Sequence, residues 1–233
     1  MEAFIHPTLS KLFNGIKGFQ HRCYALNPDF MKHLVEHGQR PKVLLIACSD
    51  SRVDPALLTD AEPGDLFVLR NVANLVPPYR MEGKYDSARS AIEYAVRDLA
   101  VEHIVILGHA HCGGIHALLN TLSGQKSQRD FIADWVSIAM DGCYRYVVDQ
   151  LGGTQTDNGG LVREVDVENL LNHQYLVERA AIRGSLDNLR SYPWIRERLD
   201  AGTLSLHGWW FDLETGDLWA TDENNTAFLP VIE

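Results

Sequence analysis

Two stretches of this sequence end an apolar run in residues that can hold metal or move protons. The first is "KVLLIACSDSRVDP", where Val43 to Ala47 leads into Cys48, Ser49, Asp50, Ser51 and Arg52. The second is "EHIVILGHAHCGG", where Ile104 to Leu107 leads into Gly108, His109, His111, Cys112, Gly113 and Gly114. Two sulfurs and one imidazole, from Cys48, His109 and Cys112, form a donor set suited to Zn²⁺. Three protein ligands leave a fourth tetrahedral position for water, the arrangement of a catalytic rather than a structural zinc. If the chain stays extended after Cys48, then Cys48, Asp50 and Arg52 point to one side. Asp50 beside a metal could ligate it, but Arg52 offers a bidentate partner that would hold the carboxylate off and leave it to accept a proton from water. His111 and His116 are further candidates for a fourth ligand or a proton shuttle. His111 lies between two ligands and is expected to point away.

The elements needed to position these residues can be read around them. Both apolar runs have the length and aliphatic content of buried strands, and functional loops gather beyond the carboxyl ends of parallel strands. Asp54-Pro55 reads as an N-cap followed by proline at the first helical position, opening a short helix to about Thr59. Leu66 to Leu69 is another strand, running into "RNVANLVPP", so that Arg70 and Asn71 also stand at a strand end. Ala88, Ala91, Ile92, Ala95, Val96 and Leu99 mark one face of a helix before the strand at Ile104. The resulting β–α–β order predicts a largely parallel central sheet flanked by helices. A helix is expected over Ile115 to Leu122, then longer ones near Asp130 to Leu151 and Val167 to Ser191, separated by the loop "LGGTQTDNGG". From Thr203 the chain is β-rich, a terminal strand and hairpin turning at "ETGD".

Upstream, Ile5, Leu9, Leu12, Phe13, Ile16 and Phe19 recur at helical spacing, and a second helix is expected over Pro28 to His37. Lys11 and Lys17 are too few for a membrane-surface helix, so this arm is expected to pack on its own core or on a partner subunit. One domain is expected over 1–233: a helical arm (1–38), the metal-site α/β core (39–122), a helical region (123–202) and terminal strands (203–233).

The chain has 233 residues, 45% of them hydrophobic, enough for a sizeable core. A formal net charge of −10 argues against nucleic acid and anionic membrane as partners. The N-terminal stretch lacks the pattern of a signal peptide, and no apolar run approaches the roughly 20 residues of a membrane span. A cytoplasmic protein is expected. Four cysteines in a chain of this length need no disulfides, and Cys23 and Cys143 are expected to be packing or surface thiols.

"ACSDSRV", "RNVAN", "AIEYAV" and "GHAHCGG", in this order, resemble the β-class carbonic anhydrases, and "HGWWFDLETGDL" is similar to the family's terminal strand and hairpin. The resemblance implies one Zn²⁺ per chain on Cys48, His109 and Cys112, with Asp50 and Arg52 as the catalytic pair. It implies reversible hydration of carbon dioxide to bicarbonate and a proton by zinc-bound hydroxide. It further implies a homodimer or dimer of dimers, with N-terminal helices embracing the neighbour and the active site at the subunit interface. On that pattern Gln39 hydrogen-bonds the small-molecule substrate, Phe67, Val72 and Tyr94 form the apolar carbon dioxide pocket, and Gly113 and Gly114 bring backbone close to the substrate oxygen. Family members that bind bicarbonate at a second, inhibitory site carry tryptophan three residues before the first cysteine. Here that residue is Leu45, although the matching arginine is kept as Arg70, so this effector pocket is expected to be absent or poor. Two thiolates cancel the charge of Zn²⁺, which should then be a weaker Lewis acid than a three-histidine site, whose water titrates at about 7. Activity rising above neutral pH is expected. Two rivals are a carbonyl sulfide or carbon disulfide hydrolase on the same scaffold, and a non-enzymatic bicarbonate-sensing relative.

Overall fold

Near-continuous aliphatic runs make strands that are buried on both faces, and these runs form the centre of the sheet. A computed structural model describes residues 6–81, 86–125, 129–148, 154–155, 161–162 and 167–231. The chain divides into two compact units, 1–40 and 41–233. In the first, α1 (Pro7–Gln20) continues through a π-helical turn (His21–Ala25), and α2 (Pro28–His37) follows. Pro7 and Pro28 occupy first-turn positions, where the missing N–H costs nothing. The apolar stripe of α1 is open: Leu9, Leu12, Phe13 and Ile16 are all exposed.

In the second unit, β1 (Val43–Cys48), α3 (Pro55–Thr59), β2 (Leu66–Asn71), α4 (Ser87–Glu93) and β3 (His103–His109) realise the expected β–α–β order. After them come α5 (Gly113–Leu122), α6 (Ile132–Val136), α7 (Met140–Cys143), β4 (Thr154–Gln155), β5 (Leu161–Val162), α8 (Val167–Asn172), α9 (Gln174–Arg190) and α10 (Pro193–Asp200). Strands β6 (Ser205–Phe211), β7 (Leu218–Thr221) and β8 (Phe228–Pro230) end the unit. The main sheet runs β2-β1-β3-β6-β7-β8. Its first four strands are parallel, and β7 and β8 are added antiparallel as the terminal hairpin and one further strand.

The helix expected near 130–151 runs over 132–148 among the described residues, passing from α6 through a 3₁₀ turn (Ser137–Ala139) and α7 to a π-helical turn (Tyr144–Val148) with helical backbone angles at each junction. One helical expectation is corrected. The helix expected from Val167 breaks at His173, whose φ of −126° and ψ of 43° are non-helical, and restarts as α9. Within the region expected to be helical (123–202), residues 193–200 form a separate helix, α10, with Pro193 in its first turn. Part of the expected loop "LGGTQTDNGG" is strand as well, since Thr154–Gln155 pairs antiparallel with Leu161–Val162.

Parallel register sets the position of the site. β1 lies between β2 and β3, so the chain leaves β1 on one side and returns on the other, creating a crevice at the carboxyl ends of β1 and β3. Cys48 stands opposite Asn71, and Ala47 opposite Leu107, which puts the end of β3 at the same level. On one face, Leu44, Ile46, Ile104 and Ile106 pack against Ile92 and Val96 and against Ile182 and Leu186 of α9. A second core, with Cys48, Cys112, Ile115 and Leu119 packed on Val136, Cys143 and Val177, lies behind the metal residues. Cys143 is part of that packing, and burial raises its thiol to about 11. Helix α9 sits close on the sheet because Gly108 and Gly208 have no Cβ. One added at either position would stand within 2.8 Å of the Ile182 side chain.

Candidate metal centre

The strand ends bring Cys48, His109 and Cys112 together, all buried, with their ligand atoms within 4.8 Å of one another. The His109 ring is aimed by its Nδ1, which donates to the Ala110 carbonyl at 2.8 Å. That fixes the tautomer and leaves Nε2 as a lone pair, buried and without a hydrogen-bond partner. An orphaned imidazole nitrogen beside two sulfurs 3.9 Å apart is a donor set completed by a soft divalent cation. The Cys48 thiol is lowered by its hydrogen bond with Cys112, against the effect of burial, with help from His109 and the Asp50 and Ala73 backbone N–H groups. Cys112 is raised by the same hydrogen bond and by burial, while backbone N–H groups of Ile115 and Gly114 act to lower it. One proton is thus shared between two sulfurs, and a metal would displace it.

Asp50 stands at the rim. Arg52 holds it through Nε to Oδ1 at 3.0 Å and Nη2 to Oδ2 at 2.8 Å, and the Arg52 backbone N–H adds a bond to Oδ1 at 2.9 Å. These bonds hold the carboxyl well below the usual carboxylate range. Oδ2 lies 3.9 Å from His109 Nε2, so Asp50 is a neighbour of the metal group turned toward Arg52. Arg52 is itself anchored across the crevice, donating to the His111 carbonyl at 3.1 Å. His111 bonds Glu214 at 2.8 Å and His116 bonds Gln174 at 3.3 Å; neither belongs to the metal group.

The "RNVAN" stretch builds the opposite wall. The Arg70 guanidinium clasps the loop after β1, donating to the carbonyls of Cys48 (3.0 Å), Asp50 (2.7 Å) and Val53 (3.1 Å) and to Asp54 (3.0 Å). Asp54 also caps α3, as its sequence context predicted. Asn71 clamps the turn that follows, its Oδ1 accepting from the Leu75 N–H at 2.8 Å and its Nδ2 donating to the Leu75 carbonyl at 2.9 Å. Inside that clamp Ala73 and Asn74 have φ of 64° and 48°, a left-handed pair that costs energy for non-glycine residues. The turn bears on the site, because the Ala73 backbone N–H helps to lower the Cys48 thiol.

Gly114 packs into this turn. A Cβ there would stand 2.7 Å from Val72 Cγ1 and 2.9 Å from Ala73 Cβ, whereas one on Gly113 would meet nothing within 4 Å. Gly114→Ala is therefore expected to cost about 1–3 kcal/mol of stability through overpacking. Urea denaturation of the zinc-loaded protein checks this; an unchanged midpoint would mean the turn yields freely.

Val72 follows the end of β2 and is level with the site. Phe67 and Tyr94 meet each other, ring centroids 5.9 Å apart, but Phe67 pairs with Leu44, four residues before Cys48. At about 3.3 Å per residue that is about 13 Å along the strand, beyond the reach of its ring. Gln39 is exposed and belongs to the first unit. A cavity of about 1100 Å³ touches Asn71 and Val72 but otherwise runs along Ala117, Asn120, Phe131 and Trp135. Its lining does not include the metal group.

One functional carboxylate went unrecognised in the sequence. Glu178, buried on α9, accepts from the Cys112 backbone N–H at 2.9 Å, from Gln174 Nε2 at 2.8 Å and from Trp210 Nε1 at 3.0 Å. Gln174 also donates to the Cys112 carbonyl at 3.0 Å. All three partners of Glu178 are donors, which an amide cannot match. Glu178→Gln is expected to lose about 2–3 kcal/mol of stability and about tenfold in zinc affinity. Chelator competition alongside thermal unfolding reads both, and wild-type zinc affinity would show that Cys112 is held in place without it.

Comparison with known proteins agrees with the geometry. Residues 43–218 match the carbonic anhydrase family profile. The carbonic anhydrase of Synechococcus elongatus is 36% identical over 210 residues, covering 90% of this chain and 70% of its own. That of Synechocystis sp. is 36% identical over 214 residues, covering 92% and 71%. The solved structure of the β-carbonic anhydrase CcaA superposes with a TM-score of 0.79 at 33% identity, covering 98% of this chain and 94% of that one. This chain belongs to the β-class carbonic anhydrases. Zinc is accordingly its cofactor, and the Cys48, His109 and Cys112 group suits it. A tetrameric β-carbonic anhydrase of Sordaria macrospora is also similar, with a TM-score of 0.72 at 26% identity and coverage of 92% and 97%. No helix among the described residues of this β-class carbonic anhydrase is long and apolar enough to cross a membrane.

Proposed function

We propose that the chain catalyses the reversible hydration of carbon dioxide to bicarbonate and a proton, with Cys48, His109 and Cys112 as the ligands of one zinc. The observation that carries this reading is the Asp50–Arg52 pair set 3.9 Å from the unpartnered His109 Nε2. Zinc, when bound, supplies a Lewis acid that makes water nucleophilic near neutral pH. Asp50 Oδ2, 3.9 Å from His109 Nε2, would accept a hydrogen bond from water at the rim of this group. With its carboxyl held ionised by Arg52 it is a weak base, so it orients the nucleophile and leaves the proton to buffer. Val72 and the open side of Gly113 offer carbon dioxide an apolar, unobstructed approach.

Phe67, Tyr94 and Gln39 complete the pocket in a homo-oligomer, the aromatic pair lining a partner's site instead of their own. The register distance between Phe67 and Cys48 supports this, as does the exposure of Tyr94. The four cysteines are all free, which fits the reducing cytoplasm as the working compartment.

Stopped-flow carbon dioxide hydration by zinc-quantified protein, from mildly acidic to alkaline pH, tests the reading. One zinc per chain and a rate that climbs above neutral pH are expected. Stoichiometric zinc without hydration at any pH would sink it and turn the assay to carbonyl sulfide and carbon disulfide.

A further inference from the structure

Helix α9 carries two arginines one turn apart that the metal site does not use. The Arg179 guanidinium lies 4.2 Å from the ring centroid of Trp210 and 4.6 Å from that of Trp219. Arg183 lies 3.7 Å from the ring centroid of Tyr146. The rings satisfy the faces of these cations. Their edges are not satisfied: the Nε of each is buried without a partner, and neither arginine forms an ion pair or hydrogen bond among the described residues. The carboxylates around them are engaged elsewhere. Asp187 takes Arg145 at 2.6 Å, Arg190 at 3.4 Å and the Tyr146 hydroxyl. Asp222 takes the Thr226 N–H at 2.6 Å and its hydroxyl. Asp212 takes the Glu214 N–H at 2.9 Å, and Glu178 is committed to Cys112, Gln174 and Trp210. Burial works against both charges. Two partly buried cations at i and i+4, each without a direct carboxylate partner among the described residues, are costly unless a ligand answers them.

A cavity of about 220 Å³ opens between the two arginines, walled by Tyr146, Leu176, Thr226 and Phe228. We propose that this cavity binds a compact dianionic oxyanion, phosphate or a phosphomonoester, gripped by the in-plane N–H groups of Arg179 and Arg183. Planar guanidinium forks match phosphate geometry, and two of them match its charge. The aromatic walls already fix both guanidinium planes, so little side-chain freedom is lost on binding. Bicarbonate, a monoanion, leaves one charge unanswered and binds more weakly.

Isothermal titration of inorganic phosphate into the zinc-loaded full chain, at low salt, is the test. One saturable site is expected, at least tenfold weaker in Arg183→Gln, with a change in tryptophan emission because Trp210 and Trp219 flank Arg179. Arg183→Gln is the primary variant, since Arg179→Gln also removes a group packed between two tryptophans; its fold is checked by circular dichroism. Competition by glycerol phosphate assigns the site to phosphomonoesters, and its failure to compete assigns it to free phosphate. Binding undiminished in Arg183→Gln would place the anion at the metal group and overturn the proposal. So would the absence of saturation at about 1 mM phosphate, or bicarbonate binding more tightly than phosphate.

Discussion

Cys48→Ser is expected to leave the chain with less than about one-tenth of its zinc and to lower carbon dioxide hydration at least about 1,000-fold. The metal's Lewis acidity is worth several kcal/mol, and about 4 kcal/mol corresponds to that factor in rate. A serine oxygen does not replace a thiolate whose ionisation the surrounding groups favour. Zinc quantification beside stopped-flow hydration separates loss of metal from loss of chemistry. A variant that keeps stoichiometric zinc and full turnover would remove Cys48 from the centre. The loss should also appear in stability, because Cys48 and Cys112 belong to one buried cluster and a bound metal adds its binding energy to folding.

Arg52→Ala is expected to leave zinc content unchanged while lowering hydration about 100-fold, within the range attributed to positioned acid–base groups. The substitution removes both side-chain bonds to Asp50, leaving the single backbone bond to Oδ1. Oδ2 already lies 3.9 Å from His109 Nε2, so a freed carboxylate would be near enough to serve as a further ligand. Arg52→Lys should recover only part of the rate, since a point charge cannot make the bidentate pair. The sign of the pH effect follows from the direction of the Asp50 shift. In wild type the carboxylate stays ionised down to acidic pH well below its ordinary range, and in Arg52→Ala it should become protonatable nearer about 3.9. Turnover unaffected by Arg52→Ala would refute the view that Arg52 holds Asp50 away from the metal.

Arg70 shows how a residue noticed for one reason serves another. At the sequence level it matched a bicarbonate pocket whose tryptophan is Leu45 here. In the fold its donors go to Cys48, Asp50, Val53 and Asp54, so the guanidinium shapes the very loop that presents the first ligand. Asn71 acts on the neighbouring turn, clamping the left-handed pair Ala73 and Asn74 through Leu75.

What the sequence alone determined is the part written in local chemistry. Buried parallel strands must be aliphatic on both faces, so Val43 to Ala47 and Ile104 to Leu107 were legible as strands, and donor residues just beyond them were legible as one metal group. The N-cap at Asp54 is local as well. Asp50 and Arg52 meet through a turn at 51–52, so the extended chain expected after Cys48 does not continue that far. Tertiary structure alone decided the rest. Glu178 reads as an ordinary polar position on a helix. It becomes a support for Cys112 only because the break at His173 lets α9 restart with Gln174 and Glu178 facing the ligand loop, and because Gly108 and Gly208 let that helix sit close on the sheet. Arg179 and Arg183 likewise look like solvated charges until Trp210, Trp219 and Tyr146, distant in sequence, close around them. Periodicity records which face of an element is apolar. It does not record which distant group will meet a buried polar atom, and that is settled by packing between elements.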